Sequence, residues 1–341
     1  MSEQPFQMTF SFDDVLLVPK FSDIGSRKEI DISSQVGSHK FSLPIISSPM
    51  DTVTGTNMAK TIFNHGGLGV LHRYNTIHEQ CKMATDAGSV TLAAAVGVSG
   101  DLMDRVAALW TVGVKIVCVD VAHGHHSNVE QAIKKIKDLY AEDMTIIAGN
   151  VATPEGFSDL QSWGADAIRV GIGGGSICST RIQTGHGIPT FHSVYACSQV
   201  KGRASLIADG GIKATGDIVK SIAAGADFVM LGSMLAGTAE SPGEVMNSTG
   251  GKRYKVYRGM ASRAAQEEWR GEARSLEGIS TTIPYKGSVE NILTDLKQNI
   301  RSGFSYSGAR NKEQFQKSPV FIRQTSSGAS ESGTHILSKN E

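Results

Sequence analysis

The chain has 341 residues, and its 33 basic and 33 acidic side chains cancel. A balanced charge excludes the global field that drives unspecific binding to nucleic acid or anionic membrane, so an anionic ligand must be held by a local site. The length exceeds the usual single domain, yet α/β barrels run to about 250 residues or more as one unit.

The N-terminal stretch MSEQPFQMTFSFDD has no basic region followed by an apolar one, and no apolar run approaches the roughly 20 residues that span a bilayer. The four cysteines, Cys81, Cys118, Cys178 and Cys197, show neither CxxC nor Cys/His metal spacing, and no disulfide framework. A soluble, cytoplasmic protein in a reducing compartment is expected. In chain order, eight runs rich in β-branched and apolar residues end in small or polar ones: PIISSPM, GLGVLHR, LAAAVGV, IVCVDVA, TIIAGNV, AIRVGIG, LIADGGI and FVMLGSM. Continuous apolar runs of this length suit strands buried on both faces of a parallel sheet. Amphipathic patterns such as DLMDRVAALWTVG and HSNVEQAIKKIKDLYAED lie between them, and the unit recurs about every 22 to 29 residues, the length of one βα repeat. A doubly wound open sheet uses the same alternation, but eight units without GxGxxG after the first strand favour a (β/α)₈ TIM barrel. One interval, between the sixth and seventh runs, stretches to about 39 residues and contains GGGSICSTRIQTGHGIPTFHSV.

In a barrel the βα loops emerge on one face. Ser48, Met50, His72, Asp120, His123, Asn150, Asp209 and Ser233 are therefore expected to converge on one mouth, although singly an Asp or Asn there also reads as a helix cap or turn former. Three glycine-rich segments, GIGGGSIC, DGGIKATGD and LGSMLAG, follow the sixth to eighth strands, where barrels tend to bind phosphate. Glycines let backbone N–H groups approach an anion, which assigns a phosphate to Ser176, Gly211, Gly232 and Ser233. Cys118, inside an apolar strand, reads as a packing residue, as do Cys81 and Cys197 on predicted helices. Cys178 lies in the long polar loop near Arg181, where backbone dipoles would lower a thiol pKa and make a nucleophile.

The segments SFDDVLLVP, PIISSPMDTVT, AGNVAT, GIGGGSICSTR, ADGGIKATGDIVKSIAAGADFVMLGSMLAGTAESPGE, YRGM and EGISTTIPYKG resemble, in order, the IMP dehydrogenase/GMP reductase family. The resemblance implies that Cys178 bonds to purine C2 of a 5′-monophosphate. Ser48, Met50, Asp209, Gly211, Gly232, Ser233, Tyr257, Gly259 and Met260 would line that nucleotide, Asp209 at the ribose hydroxyls and Ser176, Gly211, Gly232, Ser233 and Tyr257 at the phosphate. Asp120 and Asn150 would lie near the nicotinamide. Glu277, seven residues before Pro284, corresponds to the family's flap glutamate, with Thr180 as its partner in a proton relay. A K⁺ site involving Gly173, Gly175 and Cys178, completed by a tail that here reads Glu331, Ser332, Gly333, is implied for dehydrogenase-like members, as is a homotetramer for the family.

Two nearly opposite reactions follow from the resemblance: oxidation of IMP to XMP with NAD⁺, or reductive deamination of GMP to IMP and ammonia with NADPH. No regulatory CBS insert separates the second and third strands. The flap, about 261–283, is short and lacks the Arg-Tyr pair that activates water in dehydrogenases; Arg270 or Arg274 would have to substitute unless they only solvate a helix face. Arg274 stands three residues before Glu277, where reductases contact the NADPH 2′-phosphate. Conversely, SSPMDTVT, GGLGVLHR and the ASESGTHIL tail are dehydrogenase-like, and Gly174, Ser179 and Thr190-Phe191 depart from both groups. The expectation is the reductase, with the dehydrogenase as alternative and a non-catalytic nucleotide-binding regulator as a second. Residues 1–323 are expected to form the catalytic barrel. From its composition, 324–341 should be a flexible tail.

Overall fold

The computed structural model describes residues 7–274 and 276–333. All eight apolar runs are parallel strands: β1 (Ile45–Ser47), β2 (Leu68–Leu71), β3 (Ala93–Val96), β4 (Ile116–Asp120), β5 (Thr145–Val151), β6 (Ala167–Val170), β7 (Ser205–Asp209) and β8 (Phe228–Leu231). Each pairs with its sequence neighbour and β8 closes on β1, so the sheet is a closed barrel and no open edge remains. This is the (β/α)₈ TIM barrel that the repeat length implied.

Two cores follow from the strands being apolar on both faces. Inside the barrel pack Ile46, Val70, Ala95, Ile116, Ile147, Ile207 and Phe228. An antiparallel hairpin, Ser34–Val36 with His39–Phe41, supplies Val36 and Phe41 to that interior cluster. Phe41 meets Phe228 edge to face with centroids 6.0 Å apart. Phe228 is fully buried, so Phe228→Ala should lower unfolding free energy by about 3–5 kcal/mol in a urea titration; a loss below about 1 kcal/mol would show that the interior collapses freely.

Outside the barrel lie the helices, each turning its apolar stripe inward. They include α1 (Thr56–Asn64), α2 (Ile77–Asp86), α3 (Leu102–Thr111), α4 (Ser127–Tyr140) and α5 (Pro154–Trp163). The second starts at a reciprocal cap: Thr76 Oγ1 accepts from Glu79 N–H at 3.2 Å while Glu79 accepts from Thr76 N–H at 2.8 Å. The long interval after β6 holds a short helix α6 (Thr180–Thr184) and then the regular barrel helix α7 (Thr190–Ser198). Next come α8 (Thr215–Ala223) and, after β8, an excursion: an antiparallel sheet of β9 (Met246–Asn247), β10 (Arg253–Arg258) and β11 (Ser280–Pro284), with helix α9 (Arg263–Arg270) in the connection. The expected flap is therefore a sheet-rooted arm. The chain then resumes with α10 (Val289–Ser305) and α11 (Lys312–Lys317).

Within 324–341, the expected flexible tail, lies a short helix α12 (Ser326–Glu331). Thr325 caps it by accepting from Gly328 N–H at 3.2 Å, and the preceding Phe321–Arg323 pairs antiparallel with Val15–Leu17. Residues 334–341 lie outside the described residues. Among the described residues no helix is long and apolar enough to cross a membrane.

Candidate active site

At the C-terminal ends of the strands a cavity of about 470 Å³ opens. Its lining includes the proposed nucleophile and relay (Cys178, Thr180, Glu277), the nucleotide set (Ser48, Met50, Ser176, Asp209, Gly211, Gly232, Ser233, Tyr257, Gly259, Met260), the cofactor set (Asp120, Asn150, Arg274) and the loop glycines Gly173 and Gly175. Residues from every part of the chain between 48 and 277 thus meet in one place, as loops at one barrel face must.

Two residues from the sequence do not join them. His72 is turned into the protein, where burial pushes its imidazole below the ordinary value against an opposing pull from Asp51. His123 is exposed in the loop after β4. Neither borders the cavity; one residue beyond His72, Arg73 and Tyr74 do. A strand-end position alone does not fix which way a side chain turns. Glu331, Ser332 and Gly333 are exposed at the end of α12 and are absent from the lining, so within this chain the two halves of the expected K⁺ site are separate.

The chemistry of the site centres on one short line of atoms. Cys178 Sγ lies 3.1 Å from Thr180 Oγ1, and Thr180 Oγ1 donates to Glu277 Oε2 at 2.8 Å. Backbone bonds hold the arm to the loop: Ser179 N–H donates to Glu277 O at 2.8 Å and Ile279 N–H to Ile177 O at 3.0 Å. Thiol, hydroxyl and carboxylate are therefore aligned by two segments 97 residues apart. The other thiols differ in kind. Burial pushes Cys118 and Cys197 up to about 12 and also raises Cys81, so these three stay protonated packing groups.

Elsewhere in the lining Ser176 Oγ and Tyr257 Oη stand 3.4 Å apart. Burial raises the Tyr257 phenol, which keeps it a neutral hydroxyl able to donate. Gly232 sits among three of the expected nucleotide residues: a Cβ there would stand 3.2 Å from Tyr257 Oη and 3.5 Å from both Met50 Sδ and Ser48 Oγ. Gly174 and Thr190, two departures from the family pattern, explain one another. A Cβ at Gly174 would fall 2.4 Å from Thr190 Oγ1, so the threonine occupies the space that a larger loop residue would need.

The arm is tied down at two further points. Arg258, at the end of β10, donates from Nε to Asp51 Oδ2 at 2.9 Å and from Nη1 to Glu268 on α9. Trp269 on the same helix stacks on Tyr74 at 6.2 Å, with ring planes 22° apart. Arg274 follows, exposed, its Nη2 paired with Glu272 Oε1 at 2.6 Å and its N–H donating to Gln266 Oε1 at 2.9 Å. The Arg270 side chain lies outside the described residues.

Sequence reasoning missed the residue that organises the floor. Arg169, on β6, is buried and borders the cavity. Its Nη1 donates to Asp120 Oδ1, while Nε and Nη2 donate to Asp209 Oδ2 at 3.1 and 2.9 Å. Asn150 Nδ2 adds a bond to the same Asp209 oxygen at 2.8 Å. The signal was present as a lone charge inside the apolar run AIRV, since a guanidinium buried there must be paired.

The IMP dehydrogenase / GMP reductase domain matches residues 9–335. The inosine-5′-monophosphate dehydrogenase of Nitrosopumilus maritimus (strain SCM1) is 32% identical over 97% of this chain and 98% of its own; the alignment is longer than this chain, so that relative carries segments absent here. The GMP reductase of Streptococcus agalactiae serotype III is 37% identical over 88% of this chain and 91% of its own. A Bacillus subtilis inosine-5′-monophosphate dehydrogenase reaches 45% identity over 73% of this chain but 52% of its own. A crystal structure of a cysteine-to-alanine variant of GMP reductase from Trypanosoma brucei, in complex with guanosine 5′-monophosphate, superposes with a TM-score of 0.93 at 29% identity, covering 98% of this chain and 99% of that one. The chain belongs to the IMP dehydrogenase/GMP reductase family and is an oxidoreductase of purine nucleotide metabolism, in a family that uses a nicotinamide cofactor.

Proposed function

We propose that this enzyme is a GMP reductase, converting GMP, NADPH and protons to IMP, NADP⁺ and ammonium through a thioimidate on Cys178. The observation that carries the reading is the Cys178–Thr180–Glu277 line at 3.1 and 2.8 Å, in an arm without the Arg-Tyr pair. A carboxylate relayed through a hydroxyl to the sulfur suits proton delivery to a departing amine, whereas hydrolysis of the adduct needs a base that activates water.

In this reading the thiol proton passes through Thr180 to Glu277 as sulfur bonds to C2 of GMP. The proton then returns to the exocyclic nitrogen, the C2–N bond breaks with its electron pair on nitrogen, and neutral ammonia leaves. A nicotinamide cofactor held near Asp120 and Asn150 would supply hydride for C2, and loss of the Cys178 thiolate would then give IMP. Ser176, Gly211, Gly232, Ser233 and Tyr257 hold the phosphate, and Ser48, Met50, Gly259 and Met260 the rest of the nucleotide. Asp209 takes the ribose hydroxyls, and Asp120 and Asn150 face the nicotinamide. Those last two border the same cavity as Cys178, which fits a nicotinamide beside C2.

Arg274 selects the phosphorylated cofactor. Its exposed guanidinium is paired with Glu272, and a 2′-phosphate, with more charge and three acceptor oxygens, would replace that carboxylate. Arg274→Ala should raise KM for NADPH about 10-fold and leave KM for NADH within about 2-fold. Equal changes for both cofactors would remove the assignment.

The dehydrogenase is the second reading, because relatives bearing that name match this chain at 45% identity. Nicotinamide absorbance in two cuvettes, GMP with NADPH and IMP with NAD⁺, both in K⁺, separates the two. Loss of NADPH with ammonia release supports the reductase. NADH appearing with XMP supports the dehydrogenase, and nucleotide binding without turnover leaves a regulator. Repeating the active reaction in Na⁺ tests K⁺ binding at Gly173, Gly175 and Cys178, and equal rates would remove it. Light scattering tests the homotetramer.

A further inference from the structure

Arg169 interrupts a strand whose other residues, Ala167, Ile168 and Val170, are fully buried and apolar. Burying an arginine there costs desolvation that an apolar side chain of similar volume would avoid, so stability alone does not explain it. Its two partners come from different strands, Asp120 from β4 and Asp209 from β7, and all three residues border the same cavity. The line continues at both ends. Arg73 Nη2 donates to the Asp120 carbonyl at 3.2 Å, and Asn150 Nδ2 to Asp209 Oδ2 at 2.8 Å. The side-chain bonds to Asp209 from Arg169 and Asn150 all fall on Oδ2, which leaves Oδ1 for a ligand.

We propose that Arg169 is a positioning residue that couples nucleotide binding to cofactor binding, because one rigid guanidinium fixes the carboxylate of Asp209 on one side and that of Asp120 on the other. The proposal rests on the assignment of Asp209 to the nucleotide ribose and Asp120 to the nicotinamide. A cofactor that bonds to Asp120 fixes that carboxylate, which fixes the fork of Arg169 and in turn Asp209. The nucleotide then meets an acceptor that is already ordered and loses less freedom on binding. By thermodynamic reciprocity the nucleotide does the same for the cofactor. A lysine at this position brings the charge but not the fork, and reaches one carboxylate at a time.

The test is calorimetric titration of GMP into the full-length protein, alone and with saturating NADP⁺, which cannot deliver hydride. In the wild type NADP⁺ should tighten GMP binding about 5-fold or more, and GMP should tighten NADP⁺ by the same factor. In R169K that factor should fall below about 2-fold. D120A leaves Arg169 and Asp209 in place but removes the far anchor, and it should weaken GMP binding about 3-fold or more with no cofactor present. This second variant decides the matter if R169K fails to fold or to bind GMP. An unchanged coupling factor in R169K, no coupling in the wild type, or unaltered GMP affinity in D120A would overturn the proposal. Failure of the underlying reading is seen separately: D209A that binds GMP as tightly as wild type removes Asp209 from the ribose, whatever Arg169 does.

Discussion

Cys178→Ala is expected to lower turnover by about 10⁴-fold or more while GMP affinity stays within about 3-fold of wild type. The split follows from where the sulfur sits. Of the residues proposed to hold the phosphate, only Ser176 shares the Cys178 loop; Tyr257, Gly232 and the Asp209 network come from other segments, so nucleotide binding should survive loss of the thiol. No other cysteine can replace it. Cys118 and Cys197 are buried with thiols pushed up to about 12, and neither borders the cavity, nor does Cys81. Because Cys178 Sγ accepts only a small volume change on conversion to alanine, a folding defect should not intervene; thermal unfolding checks that directly. Steady-state turnover and calorimetric GMP binding on the same preparation read both halves. Turnover close to wild type would refute the covalent step, and loss of GMP binding alongside turnover would make Cys178 a structural member of the loop.

The barrel was legible because its strands are buried on both faces, which leaves uninterrupted apolar runs that end in small or polar residues. Those ends face one mouth, so a list of strand-end residues already approximates a lining. Ser48, Asp120, Asn150, Asp209 and Ser233 reach the cavity, but His72 and His123 do not, because the turn after each strand decides the side-chain direction and a single sequence carries little of that information. Arg169 was hidden for another reason. Its partners stand 49 and 40 residues away, and only closure of the barrel brings β4, β6 and β7 to one floor. Likewise Gly174 and Thr190 read as two unrelated departures until the loop folds back on α7. The helix at 326–331 was masked by its serine-rich composition, since capping and a strand anchor act over a few residues and leave no hydrophobic period.

Glu277→Gln should slow ammonia release about 10²–10⁴-fold and hydride transfer less than about 10-fold. Glutamine keeps the size of the side chain, and the backbone bonds that dock the arm, Ser179 N–H to Glu277 O and Ile279 N–H to Ile177 O, do not involve the carboxylate. What is lost is the acceptor of the Thr180 hydroxyl proton. The thiol can still lose its proton to water, but the exocyclic amine has no relayed source of one, so the C2–N bond would have to break toward amide ion. Hydride transfer moves no proton through this line, so the adduct entered from IMP and NADP⁺ should form NADPH at close to the wild-type rate. Single-turnover measurements of ammonia from GMP, and of nicotinamide absorbance from IMP, separate the two steps. Thr180→Val breaks the same relay one atom earlier and should cost about as much. The double variant should then be little slower than either single one, because a broken chain is not broken further by losing a second link. Equal slowing of both steps in Glu277→Gln, or full additivity of the two substitutions, would place Glu277 and Thr180 outside a common proton path and leave arm docking as their shared role.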